Sequence, residues 1–153
     1  MTDQKILNST AKQREMKKLD ELASDDNRQL LIIRTLFPFT IFPTTVTVDL
    51  NHVVVSTQVF FFSKQVLSFL IKDLLTVIVE TNIFFATLKF VDRFFPQDTV
   101  PVRFLSKPDA DKAFRVINGL IIAERQNVNL TALPSEEVMR KVEEIGQTGA
   151  APP

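Results

Sequence analysis

The chain has 153 residues, 18 basic and 18 acidic side chains, one histidine and no cysteine. One domain is the expectation at that length, with roughly 68–70% of the unfolded surface buried around a single core. Balanced charge removes the sequence-independent attraction to phosphate on which a general nucleic-acid binder depends, the absence of cysteine excludes disulfides and thiolate chemistry, and the lone His52 cannot assemble a His-rich metal site.

Residues 1–28 hold no apolar run of signal-peptide length, so export by that route is not expected. Within them Ser9 to Ala23, "STAKQREMKKLDELA", predicts a solvated helix capped by Ser9 or Thr10, with a narrow stripe of Ala11, Met16, Leu19, Leu22 and Ala23. "SDDNR" reads as a linker. All fourteen Phe follow Leu36, and Trp and Tyr, the aromatics enriched at membrane interfaces, are absent. The longest uncharged stretches, Thr35 to Val48 and Leu50 to Ser63, are fourteen residues each, short of the about 20 that a spanning helix needs.

Leu30 to Leu36 predicts a strand. Pro38 and Pro43 cannot donate ladder hydrogen bonds, so "FPFTIFP" is an edge, a bend or a connecting arm, its Phe37, Phe39, Ile41 and Phe42 packing across the mouth of the core, or, as the alternative, forming an exposed aromatic patch for a partner. Val46, Val48 and Leu50 alternate with Thr45, Thr47 and Asp49 as a half-buried strand. Asn51-His52 is expected at the hairpin tip, Asn taking a left-handed conformation in place of glycine. The second arm, Val53 to Phe62, is apolar on both faces near its end and reads as a central strand; "SKQ" is the next turn.

Val66 to Ile71 and Thr76 to Thr81 are separated by Lys72-Asp73, a polar outer corner after which Leu74 and Leu75 drop back into the core. "TVIVETN" and "IFFATLKFVD" form a hairpin with Asn82 at its tip and Phe84, Ala86, Leu88 and Phe90 on one face. "RFFPQD" is a loop, and "TVPVRFL" a last strand whose Pro101 belongs at an edge or bulge. Ser106 and Asp109 have capping-box spacing before a helix of about nineteen residues, with Ala110, Ala113, Phe114, Ile117, Leu120 and Ile121 on one face. Arg125 lies in its last turn, Asn127 is a left-handed stop, and Gly119 is a close-packing spot. A second helix capped at Ser135 carries Val138, Met139, Val142 and Ile145; "QTGAAPP" is expected to be disordered.

About seven strands in consecutive hairpins, closed by an amphipathic helix, look like the pleckstrin-homology-like fold. "FLIKDLLTVIVETNIFFATLKFVD" is similar to the segment of bacterial pleckstrin-homology-like domains in which an apolar strand ends in a polar corner before a "V-x-V" strand and a hairpin. "VPVRFLSKPDADKAFRVINGLIIA" resembles their last strand and helix. The resemblance covers Leu30 to Gln126 and implies an α+β fold: a barrel of about seven antiparallel strands with helical extensions. The expected division is 1–28 as a polar extension, 29–127 as the domain and 128–153 as linker, helix and tail. Domains of this kind are mostly non-catalytic adaptors for phosphoinositides, membrane surfaces or peptides. The first hairpin here, "DLNHV", lacks the clustered Lys and Arg of the phosphoinositide binders.

No enzyme constellation is present. Gly119, Gly146 and Gly149 form no phosphate-cradling loop, Ser56, Ser63 and Ser68 have no partners for activation, and Asp73, Glu80 and Asp92 read as solvated strand ends. No catalytic, cofactor-binding or metal site is assigned. The expected function is a binding or adaptor domain for a protein or peptide, in the cytoplasm and without nucleic acid. The candidate surface is Phe37, Phe39, Phe42, Phe60, Phe62, Phe94, Phe95, Lys89 and Arg93. The alternatives are a self-associating scaffold, and a module attached to a membrane surface through Arg93, Phe94 and Phe95 with Lys89 and Arg103.

Overall fold

The structure, a computed structural model, describes residues 10–20, 28–60 and 62–149. Strands Gln29–Arg34 (β1), Thr44–Asp49 (β2), His52–Phe60 (β3) and Ser63–Leu70 (β4) form one antiparallel sheet in the order β1-β2-β3-β4. Leu74–Thr81 (β5), Ala86–Asp92 (β6) and Val100–Leu105 (β7) form a second, in the order β5-β6-β7. Residues 10–20 are helical (α1), and helices Lys107–Arg125 (α2) and Ser135–Gly149 (α3) follow the strands.

The α+β class holds, but the strands do not close into a barrel. Among the described residues no ladder joins β4 to β5 or β7 to β1. The reason on one side is the polar corner: Ile71–Asp73 is a 3-10 turn with Lys72 exposed, and it carries the chain from the first sheet to the second. On the other side Pro101 has no N–H to offer, and the β6–β7 register shifts between Ala86 and Leu88. There Phe104 takes a φ of 60°, and its carbonyl accepts a lone 2.9 Å hydrogen bond from the Leu36 N–H. The corner also differs in detail from expectation. Leu74 is buried, but Leu75 is exposed and its carbonyl accepts a 2.7 Å bond from Arg125.

Period-two alternation builds the core. Val46 and Val48 of β2, Val53 and Val55 of β3, and Ala86, Leu88 and Phe90 of β6 point inward and are buried. Phe69 of β4 stacks on Phe90 of β6 with ring centroids 5.7 Å apart, so both sheets share one core. The hairpin tips sit slightly off their expected places. The first is Leu50-Asn51, with His52 already paired to Leu70; Asn51 is not left-handed, and its carbonyl accepts from the Ile71 N–H at 2.8 Å, tying the tip to the corner. "SKQ" is not a turn: Ser63 and Lys64 pair with Phe60 and Gln58, so the reversal lies earlier. Phe61 is outside the described residues. β3 is central, as expected, between β2 and β4.

α2 is capped by Ser106, whose Oγ accepts from the Asp109 N–H at 3.2 Å, and it ends before Asn127 at a φ of 54°. Its expected face packs on β5 and β6. A second stripe, Val116, Gly119 and Ala123, is buried as well and lies against α3. A Cβ on Gly119 would meet the Val142 carbonyl oxygen at 1.8 Å, and one on Gly146 the Arg115 carbonyl oxygen at 1.7 Å, so the two backbones touch. Arg115 bridges the pair to Glu143 at 3.1 Å and also binds Asp111. α3 starts at Ser135 itself, the Val138 N–H donating to the Pro134 carbonyl, and continues through Gln147–Gly149 where disorder was expected. Its Val138 and Val142 belong to the core. Arg28 reaches across to the Thr131 and Leu133 carbonyls at 3.1 and 2.8 Å. In α1 every residue is exposed, Met16 and Leu19 included; Ser9, Leu22, Ala23 and the linker as far as Asn27 lie outside the described residues.

Candidate functional site

The proline arm touches both sheets through Leu36, Phe39 and Phe42, but it leaves Phe37, Phe39 and Ile41 exposed rather than packed into the core, as in the aromatic-patch alternative. It is a loop pinched at its neck and open at its crown. Thr35, 8% exposed, holds the neck: its N–H donates to the Thr44 carbonyl at 3.0 Å, and its Oγ1 accepts from the Thr44 N–H at 2.9 Å. The Thr35 and Thr40 hydroxyls lie 3.2 Å apart and brace the loop from inside. Two prolines and this clasp leave few backbone donors free to join a sheet, so the chain bulges outward. Phe37 and Ile41 at the crown are exposed, Phe37 at 84%.

Two other loops meet the arm at this end. The Asn82 N–H closes the β5–β6 turn on the Phe85 carbonyl at 2.8 Å and leaves Ile83 and Phe84 in solvent, at 82% and 76%. The Gln58 N–H joins the β3–β4 tip to the Pro43 carbonyl at 3.3 Å. The rings form two groups, each anchored on the arm. Phe60 stacks with Phe42 at 6.2 Å, Phe39 meets Phe85 at 4.5 Å, and Phe85 touches Phe84 at 6.3 Å and Phe104 edge-on at 5.5 Å. Pairs at such separations contribute about 0.5–1.5 kcal/mol each beyond area burial. The loops are therefore held together by the same rings that they expose.

The sequence-derived surface is split by the fold. Phe37, Phe39, Phe42, Phe60 and Phe62 belong to this aromatic end. Arg93, Phe94 and Phe95 lie at the far end of β6, where the Arg93 N–H donates to the Asp73 carbonyl at 2.8 Å and the Phe94 N–H to Asp92 Oδ1 at 2.7 Å. Seven strand residues put the two groups on the order of 20 Å apart. Lys89 sits between them on the outer face of β6, paired with Glu80 at 2.6 Å. Arg103, near the aromatic end of β7, does not join Arg93. Sequence reasoning missed Ile83, Phe84, Phe85 and Phe104 as members of the surface. The signal for the first two was the Asn82 turn, which makes its followers a loop tip.

Beside the aromatic end, the outer face of the β1–β4 sheet forms a concavity of about 640 Å³. Its floor is Thr45, Thr47, Ser56 and Gln58, with Arg34 and Lys64 on its flanks and Pro43 and Phe62 at its mouth. No acidic side chain lines it. Among the described residues no three His, Cys, Asp or Glu come together as a metal site, and no helix is long and apolar enough to cross a membrane. Comparison with known proteins yields no matching family model, no matching curated protein and no matching solved structure.

Proposed function

We propose that this chain is a non-catalytic binding module of pleckstrin-homology-like architecture that engages a protein or peptide partner in the cytoplasm through its aromatic end. What supports the architecture is the order of elements: four strands, a polar corner, three strands, and a capped helix laid on the second sheet. The single observation that carries the binding reading is the set of exposed Phe and Ile side chains on three loops that ring contacts from the proline arm hold together, Phe39 on Phe85 and Phe42 on Phe60. Fully burying one Phe or Ile is worth about 1.5–3 kcal/mol, so Phe37, Ile83 and Phe84 are anchors of the kind that dominate interfaces. The rings in contact, Phe39, Phe84 and Phe85 among them, lose little further freedom on binding, which keeps the ordering cost low.

The test is selection of peptides from a displayed random library on the full chain, beside a Phe39→Ser/Phe84→Ser variant shown to be folded by circular dichroism. Peptides with apolar anchors should enrich on the wild type and not on the variant. Enrichment of nothing, or of the same peptides on both, refutes the reading. Light scattering on both proteins covers the scaffold alternative: a dimer dispersed by the two substitutions hands the surface to a second copy.

A further inference from the structure

We infer that the concavity on the outer face of the β1–β4 sheet is a subsite for an acidic, extended peptide whose apolar end sits on the aromatic loops. The inference rests on the proposed function above, and it adds the ligand's chemistry and direction. Its first support is charge. The chain as a whole is neutral, yet the concavity has Arg34 and Lys64, both exposed, and no carboxylate in its lining. A ligand complementary to this face carries carboxylates.

The second support is register. Arg34, Thr45, Ser56 and Val66 are successive cross-strand partners, so they form one row across all four strands. Lys64 stands two residues further along β4 on the same face. Three strand spacings of about 4.8 Å and a two-residue offset separate the Arg34 and Lys64 backbones by roughly 16 Å. Between them Thr45 and Ser56 of that row and Gln58, the partner of Lys64, offer hydroxyl and amide groups that both donate and accept, suited to the backbone of a chain crossing the sheet. An extended peptide rises about 3.3 Å per residue, so two carboxylates about four to five residues apart match the two cations. Phe62 and Pro43 at the mouth make the groove continuous with the Phe42–Phe60 stack, where the apolar end of the ligand lies.

The probes are three fluorescein-labelled peptides, each with two Leu at one end followed by two Glu, two Gln or two Lys spaced about four to five residues apart. Fluorescence anisotropy on the full chain should rank Glu above Gln above Lys, with Glu affinity falling as salt rises. In Arg34→Glu/Lys64→Glu the Glu peptide should weaken by about tenfold or more and the Lys peptide should gain. The ranking on the wild type stands as a test even if the variant fails to fold. Equal binding of Glu and Gln peptides overturns the inference, as does a Glu peptide indifferent to charge reversal. If the Glu peptide fails while library-selected peptides still bind, the groove assignment alone falls; if both fail, the reading it rests on falls too. Pelleting with phosphatidylserine vesicles that charge reversal abolishes, without Glu-peptide binding, assigns the surface to lipid and overturns it as well.

Discussion

Replacing Gly119 by alanine should reverse the usual sign of that change. In a helix interior alanine is favoured over glycine by about 1 kcal/mol, and a solvent-facing site would show that gain. At Gly119 the new methyl carbon would stand 1.8 Å from the Val142 carbonyl oxygen and 2.5 Å from the carbonyl carbon. Carbon in ordinary contact needs about 3.5 Å, so α3 has to retreat by roughly 1.7 Å. That displacement uncovers Val138 and Val142, both fully buried, whose complete exposure costs about 1.5–3 kcal/mol each. Losing about half of that burial, set against the helix gain, gives a net destabilisation of about 1 kcal/mol, or a melting midpoint lower by roughly 2–4 °C. Urea unfolding followed by far-ultraviolet circular dichroism suits a chain without Trp or Tyr. Gly146→Ala should behave alike, because its methyl would meet the Arg115 carbonyl oxygen at 1.7 Å. Once α3 is displaced, the second alanine contributes only its helix preference, so the double variant should be no less stable than the worse single one. Wild-type stability in Gly119→Ala, or additive losses in the double, would refute the backbone contact between the two helices.

Two further positions probe the frame of the aromatic end. Thr35→Val keeps the shape but leaves the Thr44 N–H without its acceptor; a loss of about 2 kcal/mol is expected, with faster amide exchange from Leu36 to Thr44, and unchanged exchange would show that the neck is held otherwise. Phe104, at a φ of 60°, bears strain of about 1–3 kcal/mol. Phe104→Gly should therefore stay within about 1 kcal/mol of wild type, while Phe104→Val, β-branched in a left-handed site, should lose about 2 kcal/mol or more. Equal losses in both would mean that the ring and not the backbone conformation sets the stability there.

What was readable in the residues was whatever local chemistry decides. Ser106, Arg125 and Asn127 mark α2 because caps and stops act within a turn, and the Lys72-Asp73 pair marks the corner because two adjacent charges cannot sit in a two-faced apolar strand. Gly119 was legible as a contact point, but its partner was not, since Val116, Gly119 and Ala123 form a stripe too small-sided to stand out beside the aliphatic face. The arm left two readings open for a related reason. Four large apolar residues in six, Phe37 to Phe42, invite burial, and the Thr35–Thr44 clasp, a pairing across nine residues, holds Phe37, Phe39 and Ile41 outward. The candidate surface was half legible: composition pointed to Phe, but which Phe share an end depends on strand direction, and β6 carries Phe84 and Phe94 to opposite ends.

Among the described residues each strand pairs only with its immediate predecessor or successor, and this ordering governs how the chain comes off the ribosome. Hairpins can zip as they emerge, with no strand waiting for a distant mate. The inner valines of the first sheet have no such luck, because the Phe90 layer and α2 that cover them are synthesised later. From Leu70 to the end of α2 is a delay of about 3–11 s at ordinary translation rates. During that interval a finished four-stranded sheet presents a bare apolar face, and nascent-chain chaperones should find it between the corner and the last helix.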